Sequence, residues 1–300
     1  MRLDVDFISM FSDLSKAVIA LIFLVLSVLA LLKKVAKVKF LRGIYINYLW
    51  TFFLIFTVSE FLSFKAAIWI LALLCFVALR EYFTLVDIRL QDRWGILGAY
   101  LSIPFMIIFI QLDAYGMFIT FIPIYAFLVI PFLITLGGKE IEGTLFSIGV
   151  IDFGIFLLVY CIGHIGYLSL FSTWMAVMLI LNVAVCDFIS ILMRKRKKPL
   201  RHWVLAQYFM SVPVIVILTV VLSEWTRIPR LHCIFLGILI PALVAIGRHT
   251  IRYIEKDFGI RRDELVPGKG QVLDSLRSFL YTAPVVFHYI RYFSIKAGGF

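Results

Sequence analysis

Charged side chains are scarce in this sequence. Asp, Glu, Lys and Arg together make up 16% of the 300 residues, whereas 63% of the residues are hydrophobic and the mean hydropathy is +1.03. Soluble globular domains contain about 25% charged residues, so this composition excludes a water-soluble fold. Low-complexity segments and repeats of fixed period are also absent. The simplest organisation is therefore a single membrane domain over residues 1–300.

Cysteine is scarce as well. The four cysteines lie within or at the edge of apolar runs, and no two of them have the C-x-x-C spacing of redox or zinc motifs. The pattern therefore predicts neither disulfides nor a zinc site.

Long apolar runs account for most of the remaining sequence. A membrane-spanning helix needs about 20 mostly apolar residues, and the sequence contains nine runs of roughly that length. We therefore predict an all-α integral membrane protein, a polytopic helical bundle of about nine transmembrane helices, with eight or ten as the alternatives. The predicted spans are residues 17–32, 43–58, 66–79, 95–110, 116–136, 146–170, 173–193, 203–222 and 232–246.

The basic residues predict an orientation, because Lys and Arg concentrate in cytoplasmic loops. With nine alternating helices, most of the 29 Lys and Arg residues fall on one side, including the run Arg194–Lys198. We therefore expect the N-terminus outside and the segment 247–300 in the cytoplasm, with a bacterial inner membrane as the location. The first run is expected to stay as a helix, since acidic residues precede it and no cleavage pattern follows. Contacts with anionic headgroups explain the net charge of +11, so we predict no nucleic-acid partner.

Ionisable residues inside apolar runs are costly and mark candidate sites. Asp152 is either an interfacial carboxylate near a helix N-terminus or a functional residue, and His164 is expected to be an internally hydrogen-bonded histidine. Asp187 lies near the predicted cytoplasmic end of its span, about two turns before the basic run. A carboxylate at that place can hold a metal ion on the cytoplasmic side.

The polar tail after the last predicted span carries the other candidates. Arg248 and Lys256 belong to a basic stretch that is expected to extend the ninth helix into the cytoplasm. The segment Pro267–Gly270 predicts a tight turn whose backbone N–H groups can approach an anion. Asp274 follows this turn by four residues. The apolar stretch Leu280–Phe293 is short for a tenth span, so it either packs back into the bundle or lies in the membrane interface.

The order of these motifs resembles the C-terminal end of phosphatidate cytidylyltransferases, also called CDP-diacylglycerol synthases. These membrane enzymes end in K-R-D-x-G-x-K-D, then P-G-H-G-G-x-L-D-R-x-D-S, then A-P-x-x-F-H. The corresponding stretches here are Glu255–Arg261, Val266–Ser278 and Ala283–His288. Asp187 falls where the family has an N-D pair.

The resemblance implies a reaction of phospholipid synthesis, in which the phosphate of phosphatidate attacks the α-phosphorus of CTP to give CDP-diacylglycerol and pyrophosphate. It also implies Mg²⁺ held by carboxylates, because nucleophile and leaving group are both anionic. Asp187 and Asp274 would be catalytic and would bind the metal together with Asp257. Phosphatidate or another anionic lipid, CTP and the membrane would be the partners, with a homodimer as a further possibility. The substrate-binding residues would be Lys256, Arg261, Pro267, Gly268, Lys269, Gly270, Arg248 and Arg277.

Two departures from the family pattern reverse the charge. Arg248 follows Gly247 where the family has an aspartate, and Arg277 replaces the second acid of D-R-x-D. The H-G-G stretch is Lys269–Gln271 here, and the family's S-P-x-K-T-x-E-G segment has no counterpart in residues 199–204. Arginines in place of metal ligands favour anion binding without metal. The alternative hypothesis is therefore a catalytically degenerate family member that binds an anionic lipid or nucleotide and acts through a partner.

Overall fold

The protein is a bundle of long α-helices. A computed structural model describes residues 22–24, 26–28, 46–61, 63–86, 88–137, 141–193, 200–257 and 271–296, which are almost entirely helical and contain no strand. A short 3₁₀ turn at Leu90–Asp92 and a four-residue helix at Ser223–Thr226 connect longer elements. The long helices are α1, Ile46–Phe61; α2, Phe64–Leu85; α3, Arg93–Gln111; α4, which joins Tyr115–Thr120, Phe121–Ala126 and Phe127–Gly137; α5, which joins Thr144–Ile155, Phe156–Cys161 and Ile162–Phe171; α6, Thr173–Met193; α7, Leu200–Val221; α8, Arg230–Asp257; and α9, Gln271–Lys296.

Seven of the described helices, α2 to α8, are long and apolar enough to cross a membrane. They correspond to the third to ninth predicted spans, which confirms the prediction of an all-α membrane protein. The second predicted span corresponds to α1, whose 16 residues fall short of the length that a span needs. The first predicted span lies outside the described residues, except for residues 22–24 and 26–28, which are helical. The count of nine and the orientation therefore stay predictions.

Two of the spanning helices contain a π-helical segment. In α4 this segment is Phe121–Ala126, which includes Pro123; in α5 it is Phe156–Cys161. A proline removes an N–H and crowds the carbonyl four residues earlier, so a wider turn relieves the clash at Pro123. The segment in α5 has no proline, and the two segments pack against each other.

The distribution of exposed and buried side chains separates the lipid-facing helices from the interior of the bundle. Along α4, Phe127, Leu128 and Phe132 are more than half exposed, which is typical of side chains that contact lipid. By contrast, Phe279 and Phe287 of α9 are fully buried, and α9 packs against α8, α5, α2 and α6. Of the two alternatives for the C-terminal apolar stretch, the helix packs back into the bundle.

The connections between helices alternate between two ends of the bundle. At one end Trp174, at the start of α6, stacks on Trp225, between α7 and α8, with ring centroids 6.2 Å apart. At the other end Arg89, between α2 and α3, forms a bidentate ion pair with Asp92, with hydrogen bonds of 2.8 and 3.0 Å. Arg89 also donates to the backbone carbonyl of Glu142, which lies between α4 and α5. Consecutive spans therefore run antiparallel.

Candidate functional site

Four charged side chains from three helices meet near the end of the bundle where α6 finishes and α9 begins. They are Asp187 of α6, Arg248 of α8, and Asp274 and Arg277 of α9, and we call them the carboxylate–arginine cluster. Arg248 Nη1 lies 2.9 Å from Asp187 Oδ1, and Arg277 Nη1 lies 2.6 Å from Asp274 Oδ1. The Asp274 and Arg277 side chains are 7% and 8% exposed, so this pair is largely shielded from solvent. Each acid is thus neutralised by an arginine.

The two ion pairs belong to one electrostatic unit. Asp187 experiences the charges of Arg248, Arg277 and Asp274 together. Ser278 of α9 adds a direct link, since its hydroxyl donates to Asp187 Oδ1 over 2.7 Å. Asp187 therefore accepts from a guanidinium on α8 and from a hydroxyl on α9, and it ties three helices together.

The N-terminus of α9 is held by an acid from α2. The backbone N–H of Leu273 donates to Glu81 Oε2 over 2.9 Å. The first N–H groups of a helix have no partner within it, and this end carries partial positive charge. Glu81 satisfies one of these donors, while Asp274 lies in the same first turn. The acid from α2 therefore fixes where α9 begins and where Asp274 and Arg277 lie.

Gly247 permits the close contact between α8 and α9 beside this cluster. A Cβ atom at this position would lie 3.2 Å from side-chain atoms of Tyr281 and 3.4 Å from the carbonyl oxygen of Arg277. Real Cβ contacts are rarely so short, so a larger residue would push the helices apart. The glycine next to Arg248 therefore helps to place Arg248 and Arg277 in one cluster.

The structure does not bring all predicted site residues together. Lys256 and Asp257 are exposed in the last turn of α8, about 12 Å along the helix axis from Arg248. The Lys256 ammonium lies 5.6 Å from the centre of the Tyr253 ring. Within the described part of the chain, neither residue makes a hydrogen bond or ion pair with the cluster. The other predicted phosphate-binding residues lie outside the described residues: Arg261, Pro267, Gly268, Lys269 and Gly270.

The described residues contain no preformed Mg²⁺ site. They contain no group of three or more His, Cys, Asp or Glu side chains that could hold a metal ion. Asp187 and Asp274 already bind guanidinium groups, so a divalent cation would have to displace Arg248 or Arg277 and would then lie beside an unpaired positive charge. Magnesium sites need oxygen ligands around the ion, and both carboxylates of the cluster are occupied by arginines.

Two polar residues of the site were not among the predicted ones. Ser278 follows Arg277 directly in the stretch that resembles the family, so its position was a usable signal. Glu81 is one of four acids, with Asp87, Asp92 and Glu140, that the sequence places on the same predicted side as the tail, but its contact with Leu273 was not identifiable, because the two residues are 192 apart in sequence and the contact depends on the tertiary fold.

The other intramembrane polar residues lie away from this cluster. His164 Nδ1 lies 2.8 Å from the carbonyl oxygen of Tyr160, which confirms the predicted internal hydrogen bond. Asp152 is buried in α5, and its Oδ2 has no hydrogen-bond partner among the described residues.

Comparison with known proteins finds one similarity to report. Over 237 residues the chain is 27% identical to "Uncharacterized protein YnbB" of Escherichia coli (strain K12), and the match covers 74% of this chain and 78% of that protein. No protein-family model matches the sequence. No solved structure matches it either. These comparisons therefore assign no reaction to the carboxylate–arginine cluster.

Proposed function

We propose that this protein binds the phosphate group of an anionic lipid or nucleotide at the carboxylate–arginine cluster without a metal ion. On this proposal it is a catalytically degenerate relative of phosphatidate cytidylyltransferases that acts in phospholipid synthesis through a partner. The pairing of Asp187 with Arg248 supports it most directly, because an acid to which the resemblance assigns metal binding is instead bound to an arginine.

Arg248 has a hydrogen-bond donor suited to a phosphate oxygen. Its Nη1 binds Asp187, whereas its Nε is buried and lacks a hydrogen-bond partner among the described residues. A buried donor without an acceptor costs about 1–3 kcal/mol. A phosphate oxygen at Nε would remove this cost through a charge-assisted hydrogen bond. The guanidinium can bind Asp187 through one nitrogen and a phosphate through another.

Additional positive charge comes from the basic tail. Two acids and two arginines make the cluster formally neutral, so a bound phosphate would give it net negative charge. Lys256 is a basic residue of the described tail, and Arg261 and Lys269 follow outside the described residues. In this proposal Arg248 binds the phosphate directly, and the basic tail adds positive charge around the site without the direct contact that Arg248 makes.

We further propose a nine-span topology with the N-terminus outside and the cluster facing the cytoplasm of a bacterium. The concentration of Lys and Arg on one side supports this orientation. A phosphorylated ligand made in the cytoplasm would then reach the site directly.

A phosphatidate cytidylyltransferase is the second candidate. It is favoured by the convergence of Asp187 and Asp274 from separate helices in one cluster. The resemblance to that family links both acids to catalysis. This candidate requires that substrate binding separates both acids from their arginines.

Binding in the presence of a chelator distinguishes the two candidates. Native mass spectrometry of the detergent-solubilised protein would be recorded with phosphatidate or CTP, in EDTA and in Mg²⁺. We expect one of these ligands to bind in EDTA, and Arg248→Gln to weaken its binding at least tenfold. Arg230→Gln is the matched control, because Arg230 is exposed at the opposite end of the bundle.

Turnover would contradict the proposal. If CTP and phosphatidate give CDP-diacylglycerol with Mg²⁺, and Asp274→Asn abolishes that product, the second candidate is correct. Failure of both ligands to bind in EDTA would also refute metal-independent binding.

A further inference from the structure

A second group of polar side chains lies at the opposite end of the bundle from the carboxylate–arginine cluster. Arg291 and Arg277 both belong to α9, and their separation of 14 positions corresponds to about 21 Å along the helix axis. The residues around Arg291 come from the α3–α4 connection and from α4, α5 and α9. We call this group the tyrosine–histidine cluster, and it consists of Asp113, Tyr115, His164, Tyr167, His288 and Arg291.

Asp113 provides a fixed negative charge in this cluster. It is exposed and adopts a left-handed backbone conformation with φ of +50°. The hydroxyl of Tyr167 donates to Asp113 Oδ1, and the backbone N–H of Asp113 donates to the carbonyl oxygen of Ile110 over 3.1 Å. A non-glycine residue rarely adopts this backbone conformation and keeps it only where surrounding contacts hold it there. The carboxylate is therefore held at one place above Tyr167.

Arg291 provides a positive charge that has no acidic partner among the described residues. Its Cζ atom lies 3.3 Å from the centre of the Tyr115 ring, which is a stacked cation–π contact. In the part of the chain that the structure describes, its buried Nε has no hydrogen-bond partner, and no carboxylate lies within 4.0 Å of its guanidinium group. Stacking holds the guanidinium plane but leaves the N–H groups at its edge to bind an acceptor.

The acid and the arginine contact different members of a tyrosine pair. The rings of Tyr115 and Tyr167 have centroids 5.7 Å apart, with Arg291 on the first ring and Asp113 on the hydroxyl of the second. Both charges act on the hydroxyl of Tyr167. They are thus neighbours that do not pair directly, and a ligand with one charge of each sign can bridge them.

The two histidines add hydrogen-bonding groups beside Arg291. His288 is exposed, and its Nδ1 lies 3.3 Å from the hydroxyl of Tyr115. His164 is fully buried, with its ring centroid 5.1 Å from that of His288. Because Nδ1 of His164 donates to a carbonyl, its Nε2 is the acceptor nitrogen, and this atom has no partner among the described residues. The cluster thus contains unsatisfied polar atoms in addition to its separated charges.

The cluster is accessible from outside the bundle. Asp113, Gly116 and His288 are all exposed. A Cβ atom placed on Gly116 would have no other atom within 4 Å, so the space next to Tyr115 is open. Apolar side chains that are well exposed, such as Met117 and Leu112, lie nearby in sequence. A lipid at the membrane surface can therefore reach the cluster.

We propose that the tyrosine–histidine cluster binds a zwitterionic lipid headgroup in which a phosphate is joined to a primary ammonium. The phosphate binds Arg291 and the ammonium binds Asp113. A headgroup with only a negative charge would be repelled by Asp113, and one with only a positive charge would be repelled by Arg291. The position at a helix end beside exposed apolar side chains favours a lipid over a soluble phosphoamine. This site is independent of phosphate binding at Arg248.

Native mass spectrometry of the full detergent-solubilised protein tests this site with two lipids of matched acyl chains, phosphatidylethanolamine and phosphatidylglycerol. We expect the wild-type protein to bind phosphatidylethanolamine at least tenfold more tightly. Asp113→Asn should abolish this preference, and Arg291→Gln should lower the affinity for both lipids at least tenfold. Arg291→Lys should restore part of the binding, and Arg230→Gln should leave it unchanged. Thermal unfolding of each variant checks that it is folded.

Three results would overturn the proposal. One is equal affinity of the wild-type protein for the two lipids, and another is phosphatidylethanolamine binding that persists in both Asp113→Asn and Arg291→Gln. The third is displacement of the lipid by water-soluble phosphoethanolamine at equal concentration, because this would identify a soluble ligand. Weak competition by phosphoethanolamine supports the lipid. Since Arg248 is unchanged in these variants, failure here leaves the proposed function unaffected.

Discussion

The two ends of the bundle hold their charges in different ways. In the carboxylate–arginine cluster each arginine lies within 3 Å of an acid, and three of the four side chains are less than a tenth exposed. In the tyrosine–histidine cluster Arg291 stacks on Tyr115 and Asp113 accepts from Tyr167, without an ion pair between them. Charge within a membrane bundle is costly unless it is paired, so the pairing in the first arrangement offsets the cost of burying these charges. The second arrangement leaves charge for a ligand.

Breaking the Asp187–Arg248 pair should have the largest effect. Arg248→Met leaves a largely buried carboxylate that keeps the hydrogen bond from Ser278 but loses its ion pair. Removing one partner of a buried pair costs about 3–5 kcal/mol, and we expect a loss of unfolding free energy of that order. Denaturant unfolding in mixed micelles would measure it.

The double variant Asp187→Asn with Arg248→Met is the control for this prediction. It removes both charges, so it should be clearly more stable than Arg248→Met alone. A single variant that unfolds like the wild-type protein would mean that the pair does not stabilise the bundle.

Gly247→Ala should have the next largest effect. The new methyl group would press on Tyr281 and on the carbonyl of Arg277, and overpacking of this kind costs about 1–3 kcal/mol. Gly149→Ala is the matched control, because nothing lies within 4 Å of a Cβ atom there. The Tm of Gly247→Ala should therefore lie well below the Tm of Gly149→Ala. The reverse order would contradict the close approach of α8 and α9.

Tyr167→Phe should have a smaller effect on stability. It removes the hydroxyl that donates to Asp113, and a single hydrogen bond contributes about 0.5–1.5 kcal/mol. Tyr125→Phe serves as the control, since Tyr125 is 49% exposed on α4. If both variants lose the same stability in thermal unfolding, the hydroxyl does not hold Asp113.

Arg230→Gln should have the smallest effect. Arg230 and Glu224 form an exposed ion pair at 3.2 Å, with side chains 76% and 74% exposed. Exposed pairs typically contribute less than about 1 kcal/mol and are screened by salt. If denaturant unfolding shows a loss of unfolding free energy larger than this, exposure at the ends of this bundle does not weaken ion pairs.

The sequence predicted the helices better than the chemistry of the site. Hydropathy alone located the seven described helices that are able to span, because lipid contact selects long apolar runs. Asp187, Arg248, Asp274 and Arg277 were also identified from sequence, and they do meet. Their pairing was not predictable, since the distance between α6 and α8 depends on the packing of the whole bundle.

The tyrosine–histidine cluster had no sequence signal. Its members extend from Asp113 to Arg291, and no short motif connects them. His164 was expected to make an internal hydrogen bond, and it does so through Nδ1. The significance of its second nitrogen appears only when His288 and Arg291 are placed beside it by α9.

Binding of Mn²⁺, as a spectroscopic substitute for Mg²⁺, tests the central claim most directly. Electron paramagnetic resonance of the purified protein would be titrated with Mn²⁺ alongside the variant Asp187→Asn. Because the acids of the carboxylate–arginine cluster are paired with arginines, we predict no saturable Mn²⁺ site that depends on Asp187. Saturable binding that Asp187→Asn removes would contradict the account and would favour a metal-dependent cytidylyltransferase.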